Sequence, residues 1–370
     1  MKCKNGLVVM SYKETFTLPF DFEIPSSSQE LVKNKSSKSP RLKYVKRFLY
    51  LTIKRQKLLE ISSISSNHFN ILWVNISAPS LGDSLMDLSS RIMLNGRKVD
   101  LFTDKKNAHI YEADKYFNSI FTDESDLKEK SYDLVIIDSY STRSIKCKFQ
   151  IAPLTPYIGM FGFFNGPEVN RVLFSFYRMN KLLGYKKNDG EIRKTAKPSI
   201  FISSDDKDLI EKLKLPKNFI AIAVGGEWSY RTFNSWPVVI KKLIQLDNKL
   251  KIILIGSRNG HDHANEIMRI FSNENVLNYV SQFTFNQTAE LISRARYCIC
   301  CDGGLMHASN SVGATTVTLL ARLNRRMQLT DANNSFSIYD GSNVNNISIN
   351  NIINLCKEAS IFVDSHPQNE

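Results

Sequence analysis

Apolar runs of strand length recur along the chain from about residue 70, and each is followed by a loop and then by a helical pattern. In the first half of the chain these runs read ILWVNI, KVDLFT, DLVIID and IGMFGFF. Their apolar character is continuous rather than alternating, which is typical of strands covered on both faces of a parallel sheet. We therefore predict a doubly wound α/β domain over residues 68–198.

A second series of the same kind follows a helical, basic stretch at 165–198, which we interpret as the crossing between two domains. The predicted strands are SIFIS, FIAIAVGG, KIILIG, YCICC and TTVTLL, and the predicted helices begin at Trp236-Pro237 and span 262–271, 305–311 and about 347–358. This series predicts a second domain over 199–370. The expected fold is α/β, with two Rossmann-like doubly wound domains facing a central cleft, where such folds bind ligands.

The first 67 residues differ from the rest in charge. They hold 13 Lys or Arg against 5 Asp or Glu, a net +8 out of +13 for the whole chain. Residues 1–40 are rich in Ser, Lys and Asn, which predicts a mobile arm. We treat residues 1–67 as a basic N-terminal extension, and its charge favours an anionic partner.

Residues 41–60 of this extension have the pattern of a basic amphipathic helix. Apolar residues recur there at helical spacing, at Leu42, Val45, Leu49 and Ile53, with Phe48 beside them. Two interpretations stay open. The helix lies on an anionic membrane surface, or it packs on the body of the protein with its charges in solvent.

The composition narrows the class of protein. With 42% hydrophobic and 23% charged residues, the 370-residue chain is neither disordered nor fibrous in type. No apolar stretch approaches the roughly 20 residues that a spanning helix needs, and the first residues lack a cleavable signal pattern, so we expect a cytoplasmic protein. No nucleic-acid motif accompanies the basic arm, so we expect no nucleic-acid partner.

The six cysteines are scattered, but Cys298, Cys300 and Cys301 share one apolar run. Neighbouring positions of a strand point to opposite faces of the sheet, which favours buried thiols, with a zinc site as the alternative. We expect no metal site and no other cofactor.

The first strand is followed by a turn that carries a carboxylate, Ala78-Pro79-Ser80-Leu81-Gly82-Asp83, and we expect a helix from about Ser84. Gly82 permits a tight turn between strand and helix. Asp83 would then lie at the carboxyl end of the strand and face the cleft. The alternative is that Asp83 is only the N-cap of the helix.

The second domain opens with a similar turn, in which Gly225 and Gly226 follow the strand FIAIAV. Two glycines allow backbone N–H groups to approach a phosphate, and Arg231 would add a positive charge. The alternative is a solvated loop.

A third turn, Asp302-Gly303-Gly304, links the strand YCICC to a helix whose first turn contains His307. Free N–H groups at the start of a helix, together with the helix dipole, favour an anion. We therefore expect a ligand site here, whereas a lone histidine would be structural.

These three segments together resemble glycosyltransferase family 9, the lipopolysaccharide heptosyltransferases. The family has a Gly-Asp turn, a Lys-x-Trp-Pro element and an Asp-(Thr/Ser)-Gly-x-(Met/Ser)-His element, in that order. Gly82-Asp83, Trp236-Pro237 and the segment from Asp302 to His307 stand in those places. The resemblance implies a GT-B glycosyltransferase that moves a sugar from a nucleotide donor, ADP-heptose by default, to a lipid A/core oligosaccharide acceptor. The anionic inner-membrane surface is then the expected site of the acceptor, and the enzyme would be cytoplasmic or peripheral on that membrane.

The resemblance also implies roles for individual residues. Asp83 would be the general base of an inverting, metal-independent transfer, and Ser80 and Gly82 would belong to the acceptor-side loop. The expected donor-binding residues are Gly225, Gly226, Arg231, Asn234, Asp262, Asp302, Gly303, Gly304 and His307.

The chain departs from the family pattern at three of these positions. Asn234 stands in place of the family lysine, so Arg231 would have to supply that charge. The family's acidic ribose contact follows the strand KIILIG, and within residues 256–262 only Asp262 is acidic, so the register of this contact stays open. Gly303 replaces Thr or Ser.

Other functions stay open beside this one. The departures allow a catalytically silent homologue that binds a nucleotide sugar or a glycolipid, or an enzyme that uses another nucleotide sugar. An epimerase or dehydrogenase would need a G-x-G-x-x-G turn after the first strand, which is missing.

Overall fold

The computed structural model describes residues 3–16, 38–165, 168–271 and 274–366. Most of the predicted mobile arm, residues 17–37, lies outside them. The contacts of the chain divide it into two compact units, Met1–Ile192 and Arg193–Glu370. The division falls a few residues before the predicted domain boundary at 198.

The first unit is built on one parallel sheet. Its strands are β1 (Asn70–Asn75), β2 (Lys98–Thr103), β3 (Ser119–Phe121), β4 (Leu134–Ile137) and β5 (Tyr157–Gly159). Its helices are α1 (Cys3–Phe16), α2 (Lys38–Ile53), α3 (Leu81–Asp87), α4 (Lys105–Ala108), α5 (Thr142–Ile151) and α6 (Arg171–Leu182). A further helix, α7 (Asp189–Thr195), crosses the boundary between the two units. The order is β3-β2-β1-β4-β5 in the described part of the chain. The chain leaves β1 on one side and returns on the other, so a switch point lies between β1 and β4.

The second unit repeats this plan. Its strands are β6 (Phe219–Ala223), β7 (Lys251–Ile255), β8 (Val276–Asn278), β9 (Cys298–Cys301), β10 (Thr316–Ala321) and β11 (Ser335–Asp340). Its helices are α8 (Ser204–Lys212), α9 (Trp236–Leu246), α10 (His261–Ile270), α11 (Phe285–Ser293), α12 (Gly304–Ser311), α13 (Arg325–Gln328) and α14 (Ile349–Ser365). The strands pair in parallel in the order β11-β10-β9-β6-β7-β8, with a switch point between β6 and β9. The two sheets confirm the prediction of two Rossmann-like domains.

Several elements differ from the prediction. The run SIFIS at 199–203 is not a strand, and the run IGMFGFF contributes only its first residues to β5. The strands β3, β8 and β11 were not predicted, because they are short or only partly buried. The final helix extends to Ser365, several residues beyond the predicted end at 358.

The start of the extension is also folded, in contrast to the predicted mobile arm. Helix α1 buries Ser11 and Thr15, and the backbone carbonyl of Thr15 accepts a hydrogen bond from the N–H of Asn165. Arg41 Nε, in α2, donates to the Ser11 hydroxyl at 3.3 Å. The order of α1 therefore comes from contacts with distant residues, which a local composition pattern does not contain.

Helix α2 packs on the first sheet, but of the predicted apolar residues only Val45 and Phe48 take part, and both are half-buried. Tyr44 and Leu51 are 1% exposed and belong to the same core cluster as the strand residues of β1 and β4. Leu42, Leu49 and Ile53 remain exposed. The interpretation that the helix packs on the body is therefore confirmed for the face that carries Tyr44, and the predicted stripe lies largely on the other side.

The thiols are buried, as the strand pattern of YCICC predicted. Cys298, Cys300 and Cys301 are all free thiols on β9 inside the second unit. Burial raises the pKa of Cys301 to about 12, so this thiol stays protonated at neutral pH. No helix among the described residues is long and apolar enough to cross a membrane.

One ion pair is fully enclosed in the first unit. Arg91 Nε donates to Asp114 Oδ2 at 2.6 Å, and both side chains are 1% exposed. Arg91 also donates to the carbonyl of Leu88, while Asp114 Oδ1 accepts the N–H of Tyr116. Because the charges have left water, their stability depends on these partners.

We expect Asp114→Asn to lower the free energy of unfolding by about 3–5 kcal/mol, because it leaves the Arg91 charge buried and uncompensated. The control is Asp104→Asn, which breaks a more exposed ion pair with Arg143 in the same unit. It should change the free energy of unfolding by about 1 kcal/mol or less. Urea-induced unfolding measures both. Similar losses in the two variants would contradict the assigned role of burial.

Candidate active site

The turn after β1 ends at Ser80, at the edge of the first sheet where β1 and β4 lie side by side, and Gly82 and Asp83 lie in the first turn of helix α3 rather than in the loop. Helix α3 begins at Leu81, earlier than the predicted start at Ser84. Ser80 is therefore the N-cap, and the N-cap interpretation of Asp83 is wrong. The two residues form a capping box, in which Ser80 Oγ accepts the N–H of Asp83 at 3.3 Å and Asp83 Oδ2 accepts the N–H of Ser80 at 3.1 Å.

The second oxygen of the Asp83 carboxylate faces a guanidinium. Asp83 Oδ1 lies 3.6 Å from Nη1 of Arg171, which is the first residue of α6. Arg171 is held in turn by Asp87, with Nε to Oδ1 at 2.8 Å and Nη2 to Oδ2 at 2.5 Å. Asp83 and Asp87 are one helical turn apart on α3, so one guanidinium reaches both carboxylates. Sequence reasoning missed Arg171 and Asp87.

Burial of the Asp87 carboxyl raises its pKa to about 6, against the opposing effect of Arg171. At neutral pH Asp87 is therefore ionised and keeps its bidentate pair with Arg171. The guanidinium also lies 5.2 Å from the centroid of the Phe161 ring, which fixes its plane further. Arg171 is thus held in a defined position beside Asp83.

A buried carboxylate on the neighbouring strand holds the backbone that leads to this turn. Asp138, after β4, accepts hydrogen bonds from the N–H groups of Ile76 and Ser77 at 3.1 and 2.7 Å. It also accepts the Ser144 hydroxyl at 2.6 Å. Burial raises the pKa of Asp138, and these hydrogen bonds oppose that shift. The end of β1 is therefore fixed before the chain enters the Ser80 turn.

In the second unit, the turns that contain Gly225 and Asp302 follow the neighbouring strands β6 and β9, at the switch point of the sheet. Gly225 has a φ of +85°, which favours glycine. A Cβ there would lie 2.7 Å from Cα of Gly260, and one on Gly226 would lie 2.4 Å from the Thr232 hydroxyl. The two glycines are therefore required by the protein's own packing.

Arg231 and Asp302 meet at this edge of the sheet. Arg231 Nη1 lies 3.4 Å from Asp302 Oδ2, and the side chain of Asp302 is buried. Glu227 lies 3.7 Å from another nitrogen of the same guanidinium. Nε of Arg231 is buried and has no hydrogen-bond partner among the residues that the structure describes. The structure thus brings together two of the residues predicted from sequence, as an ion pair.

The start of α12 follows directly. Gly303 is its N-cap and Gly304 its first residue, and Gly303 has an extended backbone that any residue can adopt. None of the described residues comes within 4 Å of a Cβ built on Gly303, so the described part of the chain leaves open space in front of this turn. His307 is buried in the helix, and its carbonyl accepts the Ser311 hydroxyl at 2.7 Å.

Two predicted donor-binding residues lie apart from this ion pair. Asn234 is exposed, and its backbone N–H donates to Asn345 Oδ1 at 2.8 Å. Asp262 is exposed in the first turn of α10, after β7. No hydrogen bond or ion pair found among the described residues joins either side chain to Asp302.

A further cation at the same edge was not predicted. Arg322 follows β10, the strand next to β9, and its guanidinium carbon lies 3.8 Å from the centroid of the Tyr230 ring. Arg231 lies 5.9 Å from the same ring. A strand followed by a basic residue, beside two strands followed by glycine turns, was the signal in the sequence that could have found it.

No group of three or more His, Cys, Asp or Glu side chains that could hold a metal ion occurs within the described ranges. Metal independence stays a prediction.

Comparisons with known proteins agree with this geometry. Residues 168–335 match the sequence model of glycosyltransferase family 9, the heptosyltransferases. The solved structure of a family 9 glycosyltransferase from Veillonella parvula DSM 2008 aligns with a TM-score of 0.67 at 13% identity, over 81% of this chain and 99% of that one. Escherichia coli ADP-heptose lipopolysaccharide heptosyltransferase II aligns with a TM-score of 0.64 at 17% identity, over 80% and 99%.

A third structure, E. coli heptosyltransferase WaaC with ADP, aligns with a TM-score of 0.56 at 15% identity, over 79% of this chain and 99% of that one. No curated protein sequence matches the chain.

The two parallel-sheet units and these alignments define the fold, which is the two-domain fold of the GT-B glycosyltransferases. Residues 168–335 are a glycosyltransferase family 9 (heptosyltransferase) domain, which confirms the resemblance seen in the motifs. The matched residues include the turns at Gly225 and Asp302 as well as Arg171. Asp83 lies before them, so its role is a proposal.

Substitution by alanine should affect the stability of the protein differently at two glycines of the second unit. We expect Gly225→Ala to lower the free energy of unfolding by about 1–2 kcal/mol or more, from its positive φ and the close backbone of Gly260. Gly303→Ala, in open space, should change it by no more than about 0.5 kcal/mol. Urea-induced unfolding of the two variants is the measurement. A destabilised Gly303→Ala variant beside an unaffected Gly225→Ala variant would reverse this assignment.

Proposed function

We propose that the chain is an inverting, metal-independent glycosyltransferase that moves a sugar, by default heptose from ADP-heptose, onto a lipid A/core oligosaccharide acceptor. The observation that carries the proposal is the Asp302-Gly303-Gly304 turn at the switch point, beside Arg231 and Arg322. The acceptor would lie at the anionic surface of the inner membrane, and the enzyme would work in the cytoplasm or bound to that surface.

The donor side rests on the chemistry of this turn. The first N–H groups of α12 have no partner within the helix and, together with the helix dipole, favour an anion such as a diphosphate. The open space in front of Gly303 leaves room for such a group. Nε of Arg231, which has no partner in the described part of the chain, and the guanidinium of Arg322 are further donors at the same edge. The E. coli WaaC structures contain ADP or ADP-2-deoxy-2-fluoro heptose, which supports the choice of donor.

The acceptor side rests on Asp83. In the proposed reaction, a carboxylate oxygen of Asp83 takes the proton of the acceptor hydroxyl as that oxygen attacks the anomeric carbon. The bond from the anomeric carbon to the diphosphate oxygen breaks, and its electron pair leaves with the nucleotide. Attack from the face opposite the leaving group inverts the configuration. Backbone N–H groups and arginines stabilise the leaving diphosphate.

Arg171 would position the base. Asp87 fixes the guanidinium, which then faces Asp83 Oδ1, while Ser80 holds Oδ2. The carboxylate is thus held from both sides without being enclosed, since its side chain is 23% exposed. A base held in one orientation does not have to be ordered when the acceptor binds.

A second candidate function is a catalytically silent homologue that binds a nucleotide sugar or a glycolipid. The neutral, exposed Asn234 in place of the family lysine favours it, because one phosphate-binding charge is missing. Use of another nucleotide sugar is a third outcome. A panel of nucleotide sugars distinguishes them, since a donor at about 100 times its dissociation constant adds about 2.7 kcal/mol to stability and raises the melting temperature.

We expect Asp83→Asn to lower the rate of transfer by about 10²–10⁴-fold, because an amide cannot accept the acceptor's proton. The amide oxygen can still accept the N–H of Ser80, so the helix cap and the nucleotide-induced rise in melting temperature should persist. Turnover with ADP-heptose and a thermal melt with ADP measure the two effects.

Ser80→Ala is the matched control, because it breaks the capping box but leaves the carboxylate. It should lower the free energy of unfolding by about 1 kcal/mol and lose far less activity than Asp83→Asn. Equal losses of activity in both variants would assign Asp83 to the helix cap.

Transfer should also survive excess EDTA, because N–H groups and arginines take the place of a cation at the diphosphate. Initial rates with and without the chelator give the answer. Loss of activity that Mg²⁺ or Mn²⁺ restores would show that a metal takes part.

A further inference from the structure

Helix α2 has two apolar faces, and only one of them is packed. Tyr44 and Leu51 are buried in the core cluster of the first unit. On the other side, Leu42, Leu49 and Ile53 are 68%, 51% and 74% exposed. Exposed large apolar residues that share one face of a helix point to a binding surface, whereas single ones do not.

The spacing of the exposed residues defines this surface. Positions 42, 46, 49 and 53 are separated by four, three and four residues, so they form one stripe along the helix. We call this stripe of Leu42, Lys46, Leu49 and Ile53 the outer face of α2. Lys46 is exposed within it and Lys43 is exposed beside it. Long lysine side chains can extend their charge to a polar boundary while their alkyl parts stay in apolar surroundings.

We propose that the outer face of α2 docks on an anionic lipid bilayer, with its apolar side chains among the acyl chains and its lysines at the headgroups. The choice of partner rests on the proposed function, since a lipid-linked acceptor lies at such a surface. Packing on the protein and docking on a membrane are then compatible, because they use opposite faces of one helix. A helix already held by Tyr44 and Leu51 does not have to fold on the membrane.

The positive charge of this segment favours an anionic bilayer over a second copy of the chain as the partner of the outer face. Residues 38–58 contain eight Lys or Arg and no Asp or Glu. A second copy of the chain would bring two such segments together and repel. An anionic bilayer attracts them, and the attraction adds to the burial of the apolar side chains.

The test is flotation of the full chain with vesicles of phosphatidylcholine alone or with about one third phosphatidylglycerol, whose anionic headgroups attract basic segments. The variant Leu42→Ser/Leu49→Ser/Ile53→Ser removes the apolar part of the outer face. The matched control, Leu246→Ser/Ile270→Ser/Ile361→Ser, alters residues of the second unit that are 57%, 58% and 69% exposed. All six side chains are exposed, so thermal melts should be nearly unchanged.

We expect the wild type and the control to bind anionic vesicles and not neutral ones. The affinity of the outer-face variant for anionic vesicles should be lower by about tenfold or more. Lys43→Gln/Lys46→Gln should also weaken binding and reduce its dependence on salt. Lys54 and Lys57 are left unchanged because they lie over the rings of Phe149 and Phe48. The proposal is overturned if the wild type fails to bind, or if the control loses as much binding as the outer-face variant.

Two further measurements distinguish membrane docking from dimerisation and from the proposed catalytic function. Size-exclusion chromatography without lipid tests whether the outer face binds a second copy of the chain. If the wild type is a dimer and the outer-face variant is a monomer, the membrane assignment is overturned. Transfer to a soluble, delipidated acceptor tests the chemistry alone. Full activity there in the outer-face variant, with lost vesicle binding, supports the proposal. A wild type that binds vesicles but transfers no sugar would leave the docking surface standing and remove the proposed function.

Discussion

The two sheets are parallel, and this single constraint determines where chemistry can take place, because every strand of a parallel sheet ends at the same edge. In the second unit it brings the turns after β6, β9 and β10 to one place, with Arg231, Asp302 and Arg322 among their residues. In the first unit it places Asp83 beside the strand that carries Asp138. The hydrogen bonds of the backbone thus assemble residues that lie far apart in the chain.

The strands that the sequence predicted correctly are those buried on both faces. In β4 and β9 every residue is buried, and such continuous apolar runs are visible without the structure. The edge strand β11 is mostly half-buried, and polar residues interrupt its apolar ones, so its sequence carries no continuous apolar run. Helix α2 was predicted, but its orientation was not, because apolar residues lie on two of its faces and the pattern does not say which face meets the sheet.

The same distinction holds for the candidate site. Glycine turns after strands are local signals, and they identified Gly225 and Asp302. The pair of Arg171 with Asp87 joins residues 84 positions apart and leaves no trace in either segment. Arg231 was predicted to bind the donor, with its role as a replacement for the family lysine left open, and the structure shows it paired with Asp302. A diphosphate bound there would compete with a carboxylate for the same guanidinium.

Two glycines of the second unit pack against one backbone carbonyl, and a third packs against one of these glycines. A Cβ on Gly256 or Gly260 would lie 2.6 or 2.7 Å from the carbonyl oxygen of Val224, and one on Gly225 would meet Gly260 itself. The loops after β6 and β7 are therefore not independent modules. Over evolutionary time they should be inherited and altered together. An exchange of these two loops between relatives would have to transplant both at once, since a side chain introduced in one has no room unless the other changes with it.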